Sequence, residues 1–186
     1  MRATLIDRTI TVIANEGLDR TTTKAIVAGT GINEAYIYRQ FADKDDLLIK
    51  TFDFLDEELV AETLKHMSVM TMTDIPFEER CWLYFSAVWK FLISSRNKCL
   101  AFVQYFYSPY FAKHSADEHK ERYQVLIEKV QPVFREEADV WMILNHILNV
   151  MLDFAVKVHN GQMSKEDSYT EHVFRVIYVS VQQYFK

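Results

Sequence analysis

The sequence predicts an all-α protein, on three observations. Its 186 residues include only four glycines and three prolines, and no glycine falls between residues 32 and 160. Apolar residues recur at three- and four-residue spacings, with few of the alternating runs that mark strands. Apolar residues make up 49% of the chain, ample for a core. This length fits one large domain, or a small domain joined to a larger one.

Each element follows from local pattern. Leu5, Ile6, Ile10, Ile13 and Ala14 form one stripe of a first helix over residues 2–16, and Gly17 ends it. Thr22 is an N-cap for a slim second helix reaching about Gly29. Gly31 supplies a turn that asks for positive φ and leaves no room for a side chain at the helix crossing. Asn33 caps a third helix to about Phe41, with Ile37 and Phe41 inward. Asp43 caps a fourth, whose stripe of Leu47, Leu48, Phe52, Leu55 and Leu59 runs to about Met67. Periodicity stops between Ser68 and Asp74, the best domain boundary. Pro76 opens a helix to about Ser94, and another spans about 97–108 and breaks at Pro109. Helices over about 116–130, 138–160 and 168–185 complete about nine in all, with a bend or break at Pro132.

The segment from Gly17 to Leu48 reads as a helix-turn-helix that binds DNA. On the outward face of the third helix, Arg39 can neutralise a phosphate and Tyr36 and Tyr38 can donate hydroxyls. Tyr36 or Gln40 can alternatively meet base edges. Lys44 at the start of the fourth helix, and Thr22, Thr23 and Lys24 at the start of the second, add helix N-termini that attract anions. A plain three-helix bundle with solvated polar ends fits the same spacing.

These motifs resemble the TetR family of transcriptional regulators. Thr21-Thr22, Ile26-Val27, Gly31-Ile32, Ile37-Tyr38, Phe41 and Lys44-Asp45-Asp46-Leu47 stand at that family's positions, without a gap, across about the first 50 residues. The resemblance implies a helix-turn-helix domain over residues 1–48, a connecting helix over 49–67 and a ligand-binding and dimerisation domain over 68–186. It implies that Tyr38 and Lys44 contact phosphates and that Thr23 and Lys24 lie at the groove edge. Asn33, Glu34, Ala35, Tyr36 and Arg39 complete the DNA-facing set, with Glu34, Ala35 and Tyr36 near bases. Several residues depart from the family pattern. Tyr36 stands where many members have Thr, Arg39 where His is common, Gln40 where an aromatic is usual, and Glu34 where a basic residue is frequent. Glu34 would repel phosphate or accept from a cytosine amino group.

Residues 77–123 are rich in aromatics. Any one of them reads most simply as core. By resemblance, some line a pocket for an unknown small-molecule effector that is flat and apolar or aromatic. The candidates are Trp82, Phe85, Trp89, Phe102, Tyr105, Phe106 and Tyr123, with His146 and Asn149 as polar groups. The last two helices carry apolar stripes of Ile143, Ile147, Val150 and Phe154, then Val173, Ile177 and Val181. Burial within one monomer would satisfy these stripes. The resemblance instead makes them a homodimer interface, setting two recognition helices about 34–36 Å apart on a palindromic operator of double-stranded DNA. It further implies a repressor released by ligand, with the fourth helix as lever.

Catalysis finds no support in the motifs. The sequence has no His-Glu-x-x-His, no Cys-x-x-Cys, no Gly-rich phosphate loop and no Gly-x-Ser-x-Gly elbow. His114 and His119 with Asp117 and Glu118 read as a solvated helix start rather than a metal site, so neither metal nor other cofactor is expected. Cys81 and Cys99 read as reduced core or pocket residues. No apolar run suggests a signal peptide or a membrane span, so a cytoplasmic protein without a membrane partner is expected. The net charge of −5 excludes a general nucleic-acid coat protein but not a local DNA contact. Residues 1–50, with seven basic and seven acidic side chains, leave one alternative: a ligand- or protein-binding dimer that keeps the head but has lost specific operator binding.

Overall fold

The computed structural model describes residues 2–186. Among them are ten α-helices and no strand, as the scarcity of glycine predicts. The helices are α1 (Arg2–Glu16), α2 (Thr23–Val27), α3 (Ile37–Gln40), α4 (Lys44–Lys65), α5 (Phe77–Ser94), α6 (Arg96–Phe106), α7 (Pro109–His114), α8 (Ala116–Val130), α9 (Val140–His159) and α10 (Asp167–Val181).

The count exceeds the expected nine by α7. Pro109 does not break the chain but starts this helix, where its missing N–H costs nothing. Ser108 caps it, its Oγ accepting from the Phe111 N–H at 3.4 Å. The expected third helix is a 3-10 turn, Glu34–Tyr36, continued by α3. The last helix ends at Val181, short of Phe185, and passes into another 3-10 turn, Gln182–Tyr184.

The chain forms two compact units. The first comprises Met1–Glu58 and Arg96–Lys120, the second Leu59–Ser95 and Glu121–Lys186. In the first, Leu5, Val12, Ile26, Ile37, Phe41 and Leu47 form a buried cluster that clamps α1 to α4 together. Each fully buried large apolar side chain of this kind contributes roughly 1.5–3 kcal/mol. α1 also packs along α6, and the Leu18 N–H donates to Gln104 Oε1 at 3.1 Å. A second knot of rings lies deeper in this unit. Phe52 stacks on Tyr105 at 4.7 Å and meets Phe102 at 5.2 Å and Phe111 at 5.4 Å.

The second unit is built on α9, which buries Val140, Ile143, Leu148, Met151, Leu152, Ala155 and Val158 and packs against α5 and α10. Asp139 caps it, accepting from the Met142 N–H at 2.9 Å. Gly161, at φ 71°, turns the chain after it. An isolated antiparallel bridge joins Phe134 to Phe185. By length and composition alone, with mean hydropathy 1.3, α9 is long and apolar enough to cross a membrane, a test that a helix buried in a core also passes. Asn145, His146, Asn149 and Asp153 interrupt its run and hid this in the sequence.

Candidate nucleic-acid interface and effector cavity

Two glycines shape the helix-turn-helix. Gly29 and Gly31 both have φ of 71°, a conformation that β-carbons resist. Gly29 stops α2 early, at Val27. A Cβ on Gly31 would meet nothing within 4 Å, so the glycine is needed for its dihedral and not, as expected, for space at the crossing. Thr30 bridges the turn, donating to Val27 O at 2.7 Å and accepting from the Ile32 N–H at 3.0 Å. Arg8 on α1 donates to Ala28 O at 2.9 Å and so caps the end of α2. Sequence pattern gave no sign of Arg8, because its acceptor is a backbone carbonyl 20 residues away.

The alternation on α3 fixes which face looks outward. Ile37 is fully buried, whereas the adjacent Tyr38 is 57% exposed. Arg39, Lys24, Thr22, Asn33 and Ala35 are also exposed. Tyr36 is half-buried and packs against the head's core, so its ring is partly withdrawn from the outward face. Asn33 accepts from the Ala35 N–H at 2.9 Å and Thr22 accepts from the Ala25 N–H at 3.1 Å. Both caps keep a donor for an outside acceptor. Thr23 Oγ1 donates to Glu34 Oε2 at 2.6 Å, so one carboxylate oxygen of Glu34 is already engaged.

The start of α4 is more acidic than a simple anion site. Asp43 Oδ1 accepts from the Asp46 N–H at 2.8 Å, and Asp46 Oδ2 accepts from the Ala42 N–H at 2.9 Å, a reciprocal cap. The first intrahelical bond runs from the Leu47 N–H to Asp43 O. Helix geometry therefore leaves the amides of Lys44 and Asp45 for a phosphate, beside the half-buried Lys44 side chain. Tyr110 on α7 donates to Asp45 Oδ1 at 3.3 Å. Burial pushes the Tyr110 hydroxyl above its ordinary pKa, and the nearby Asp45 adds to that shift.

A cavity of about 150 Å³ lies wholly within the second unit. Side chains of α4, α5, α8, α9 and α10 and of the turns Met67–Thr71 and Gln131–Val133 line it. Leu59, Met67, Val88, Leu126, Leu148 and Met151 give its apolar wall, and no charged side chain reaches it. Its polar groups are Thr63, Cys81, Tyr84, Tyr123 and Tyr178. Thr63 is spent on its own helix, donating to Leu59 O at 2.7 Å. Burial pushes the Cys81 thiol up to about 12 and raises Tyr84 and Tyr178 as well.

Of the aromatics expected at a pocket, Phe85 and Tyr123 line this cavity. Phe102, Tyr105 and Phe106 do not, because α6 belongs to the first unit, where they pack on Phe52 and Phe111. Trp89 is buried behind the wall, stacked on Phe85 at 5.9 Å. Trp82 packs on Phe85 and Phe174 beside a surface recess formed with Glu78, Glu79 and Glu171. His146 is exposed and lies 2.9 Å from Ser180 Oγ, and Asn149 is off the cavity.

The residues expected at a dimer interface mostly face inward. Ile143, Val173, Ile177 and Val181 are at most 6% exposed. Ile147, Ile177 and Val181 line the cavity, and Val150 and Phe154 are half-buried. The large apolar side chains that α9 and α10 leave in the open are Met142 at 65%, Tyr169 at 44%, Val176 at 54% and Val179 at 59%. Sequence stripes pick out the most apolar face, which here is consumed by the monomer's own core. A second, weaker face carries Met142, Val176 and Val179.

Residues 5–51 match the family described as bacterial regulatory proteins, tetR family. Solved structures share the fold over nearly the whole chain. One is a TetR family transcription regulator from Marinobacter aquaeolei VT8, with TM-score 0.78 and 14% identity, covering 95% of this chain and 93% of that one. A second, from Shewanella sp. PV-4, has TM-score 0.77 and 12% identity, with 96% of each chain covered. A third is the transcriptional regulator FadR from Bacillus subtilis in complex with stearoyl-CoA, with TM-score 0.71 and 19% identity, covering 95% and 97%. No curated protein sequence matches the chain. The segment turned by Gly29 and Gly31 thus matches the tetR family of bacterial regulatory proteins over residues 5–51, and the chain as a whole has the fold of solved TetR family transcription regulators.

Proposed function

We propose that this protein is a homodimeric, DNA-binding transcriptional repressor, acting in the cytoplasm on a palindromic operator and released by a small apolar effector. The observation that carries the reading is the outward face of the head. Tyr38, Arg39 and Lys24 stand in solvent on a helix pair whose opposite side, Ile26 and Ile37, is sealed at zero exposure. Residues 1–48 act as the reading head, with Tyr38, Arg39 and the start of α4 on phosphates. Asn33, Glu34, Ala35 and the edge of Tyr36 lie toward bases. Because Thr23 holds one oxygen of Glu34, the other is free to accept from a cytosine amino group, and the carboxylate's repulsion of phosphate is softened.

Dimerisation uses the faces of α9 and α10 that carry Met142, Val176 and Val179, supported by the exposure of these three apolar side chains on adjacent helices. The effector occupies the cavity, where Leu59 and Thr63 of α4 and Tyr123 and Leu126 of α8 would touch it. Both helices continue into the first unit. A ligand that prefers one setting of α4 and α8 shifts the population of DNA-competent heads.

Fluorescence anisotropy of the protein on DNA from upstream of its own gene, across a salt series, tests the reading. Sequence-selective binding that weakens steeply with salt supports it. Binding indifferent to sequence, at every salt, refutes it.

A further inference from the structure

The effector cavity has a shape and chemistry that narrow its ligand, an inference that rests on the effector reading above. Its volume, about 150 Å³, matches that of an engineered apolar cavity that stays dry and takes up benzene, a six-carbon guest. A cavity of that volume gathered around one ring would be walled by the few neighbours that surround a single core side chain. Here the wall runs from Leu59 on α4 to Phe185 beyond α10 and draws on five helices and two turns. So small a volume spread along so extended a wall suits a flexible chain better than a flat ring.

The ends of the polar inventory point the same way. Cys81 and Tyr84 are one helical turn apart on α5 and share a face. Tyr178 on α10 lines the same cavity. Among the described residues, the hydroxyls of Tyr84 and Tyr178 make no hydrogen bond, unlike Thr63. The cavity wall therefore offers neutral donors, two of them phenols, while a charged guest would enter without a counter-charge at a cost of several kcal/mol.

We infer that the cavity of the second unit takes an unbranched aliphatic chain of about six carbons bearing a neutral oxygen acceptor, such as an ester or ketone, with Tyr84 or Tyr178 donating to that oxygen.

Calorimetric titration of the full-length protein with methyl esters of straight-chain acids, from four to ten carbons, tests this. Naphthalene and tetramethylammonium serve as the flat and cationic comparisons. Affinity should rise about fourfold per methylene, the equivalent of ~0.8 kcal/mol, and level off once the chain outgrows about six carbons. The double variant Tyr84→Phe, Tyr178→Phe should weaken the ester two- to tenfold and leave a plain alkane unaffected. Leu148→Phe, which fills the cavity, should abolish binding while the thermal transition stays intact; if that variant fails to fold, Met151→Phe serves. Tighter binding of naphthalene or the cation, no dependence on chain length, or an unchanged ester affinity in the phenol variant would each overturn the inference. The regulatory reading is tested separately on the anisotropy signal. Esters that bind without altering DNA affinity refute the effector role and leave the ligand class standing. Release of DNA by another ligand class, with no ester binding, does the reverse.

Discussion

His119 Nδ1 lies 2.9 Å from Asp56 Oδ1, and the two side chains are 2% and 0% exposed. The pair ties the start of α8 to α4 inside the first unit, under the rings of Phe52, Phe106 and Phe111. Water cannot replace either partner there. Asp56→Ala should therefore cost about 3–5 kcal/mol, seen as a fall in urea midpoint without a change in slope. Asp56→Asn, which keeps an acceptor for the Nδ1–H, should recover a good part of that loss. Equal losses in the two variants would mean that the hydrogen bond does not stabilise the fold.

The head's contacts separate by kind. Lys44→Ala should weaken binding on all sequences alike and lower the logarithmic salt slope by about 1, as one lost phosphate contact does. Tyr38→Phe should weaken binding about equally on all sequences, without changing that slope, since it removes a hydroxyl and no charge. Anisotropy at several salt concentrations reads both. A Lys44→Ala slope equal to that of the unaltered protein would remove this lysine from the phosphate surface.

Glu34 should act on specificity. Glu34→Gln should raise affinity for non-operator DNA and relax discrimination at one base pair, by about 1–3 kcal/mol. Thr23→Val, by freeing the second carboxylate oxygen, should lower affinity instead. Titrations on single-base operator variants distinguish the two. If neither substitution alters base preference, Glu34 is not a reader.

Assembly offers a sharp contrast between adjacent residues. Val176→Asp, on the open face of α10, should yield a folded monomer in sedimentation analysis. Val173→Asp, at 2% exposure, should destabilise the monomer itself by several kcal/mol. A dimer that survives Val176→Asp would place the interface elsewhere.

Alkaline pH should destabilise the fold. Burial raises Cys81 and Cys99 from 9.0 to about 12, so the folded chain holds protons that the unfolded chain releases above pH 9. The stability they contribute is complete below pH 9 and is lost as pH rises from 9 toward 12, at no more than about 1.4 kcal/mol per pH unit for each thiol. Thermal midpoints should be flat near neutrality and fall above pH 9. They should fall less steeply in the Cys81→Ala, Cys99→Ala double variant. An identical alkaline limb in that variant would assign the loss to other groups.

Much of the head was legible in the sequence because its signals are local. Thr22, Asn33 and Asp43 announce caps within three residues of the amides they serve, and Gly31 announces its dihedral. α7 was not legible, because Pro109 reads as a breaker unless Ser108 before it is recognised as a cap. The cavity was only partly legible. Composition gathers Phe85, Phe102, Tyr105 and Tyr123 into one aromatic stretch, yet the chain passes into the first unit at Arg96 and returns at Glu121. Which unit an aromatic serves depends on those crossings, and hydropathy does not record them. The two apolar stripes of α9 and α10 were read correctly as stripes. Whether a stripe faces a core or a partner is a tertiary fact.

The crossings also bear on how such a protein can be rebuilt. Leu18 is hydrogen-bonded to Gln104 and α1 lies along α6, so the reading head is not a cassette of the first 48 or 58 residues. A chimera that grafts that segment onto another regulator would leave one flank of α1 bare and Asp56 without its histidine. To transplant the head with its packing intact, α6, α7 and the first turn of α8 must travel with it. Otherwise the recipient must supply their equivalents, because the first unit is assembled from two separate stretches of the sequence.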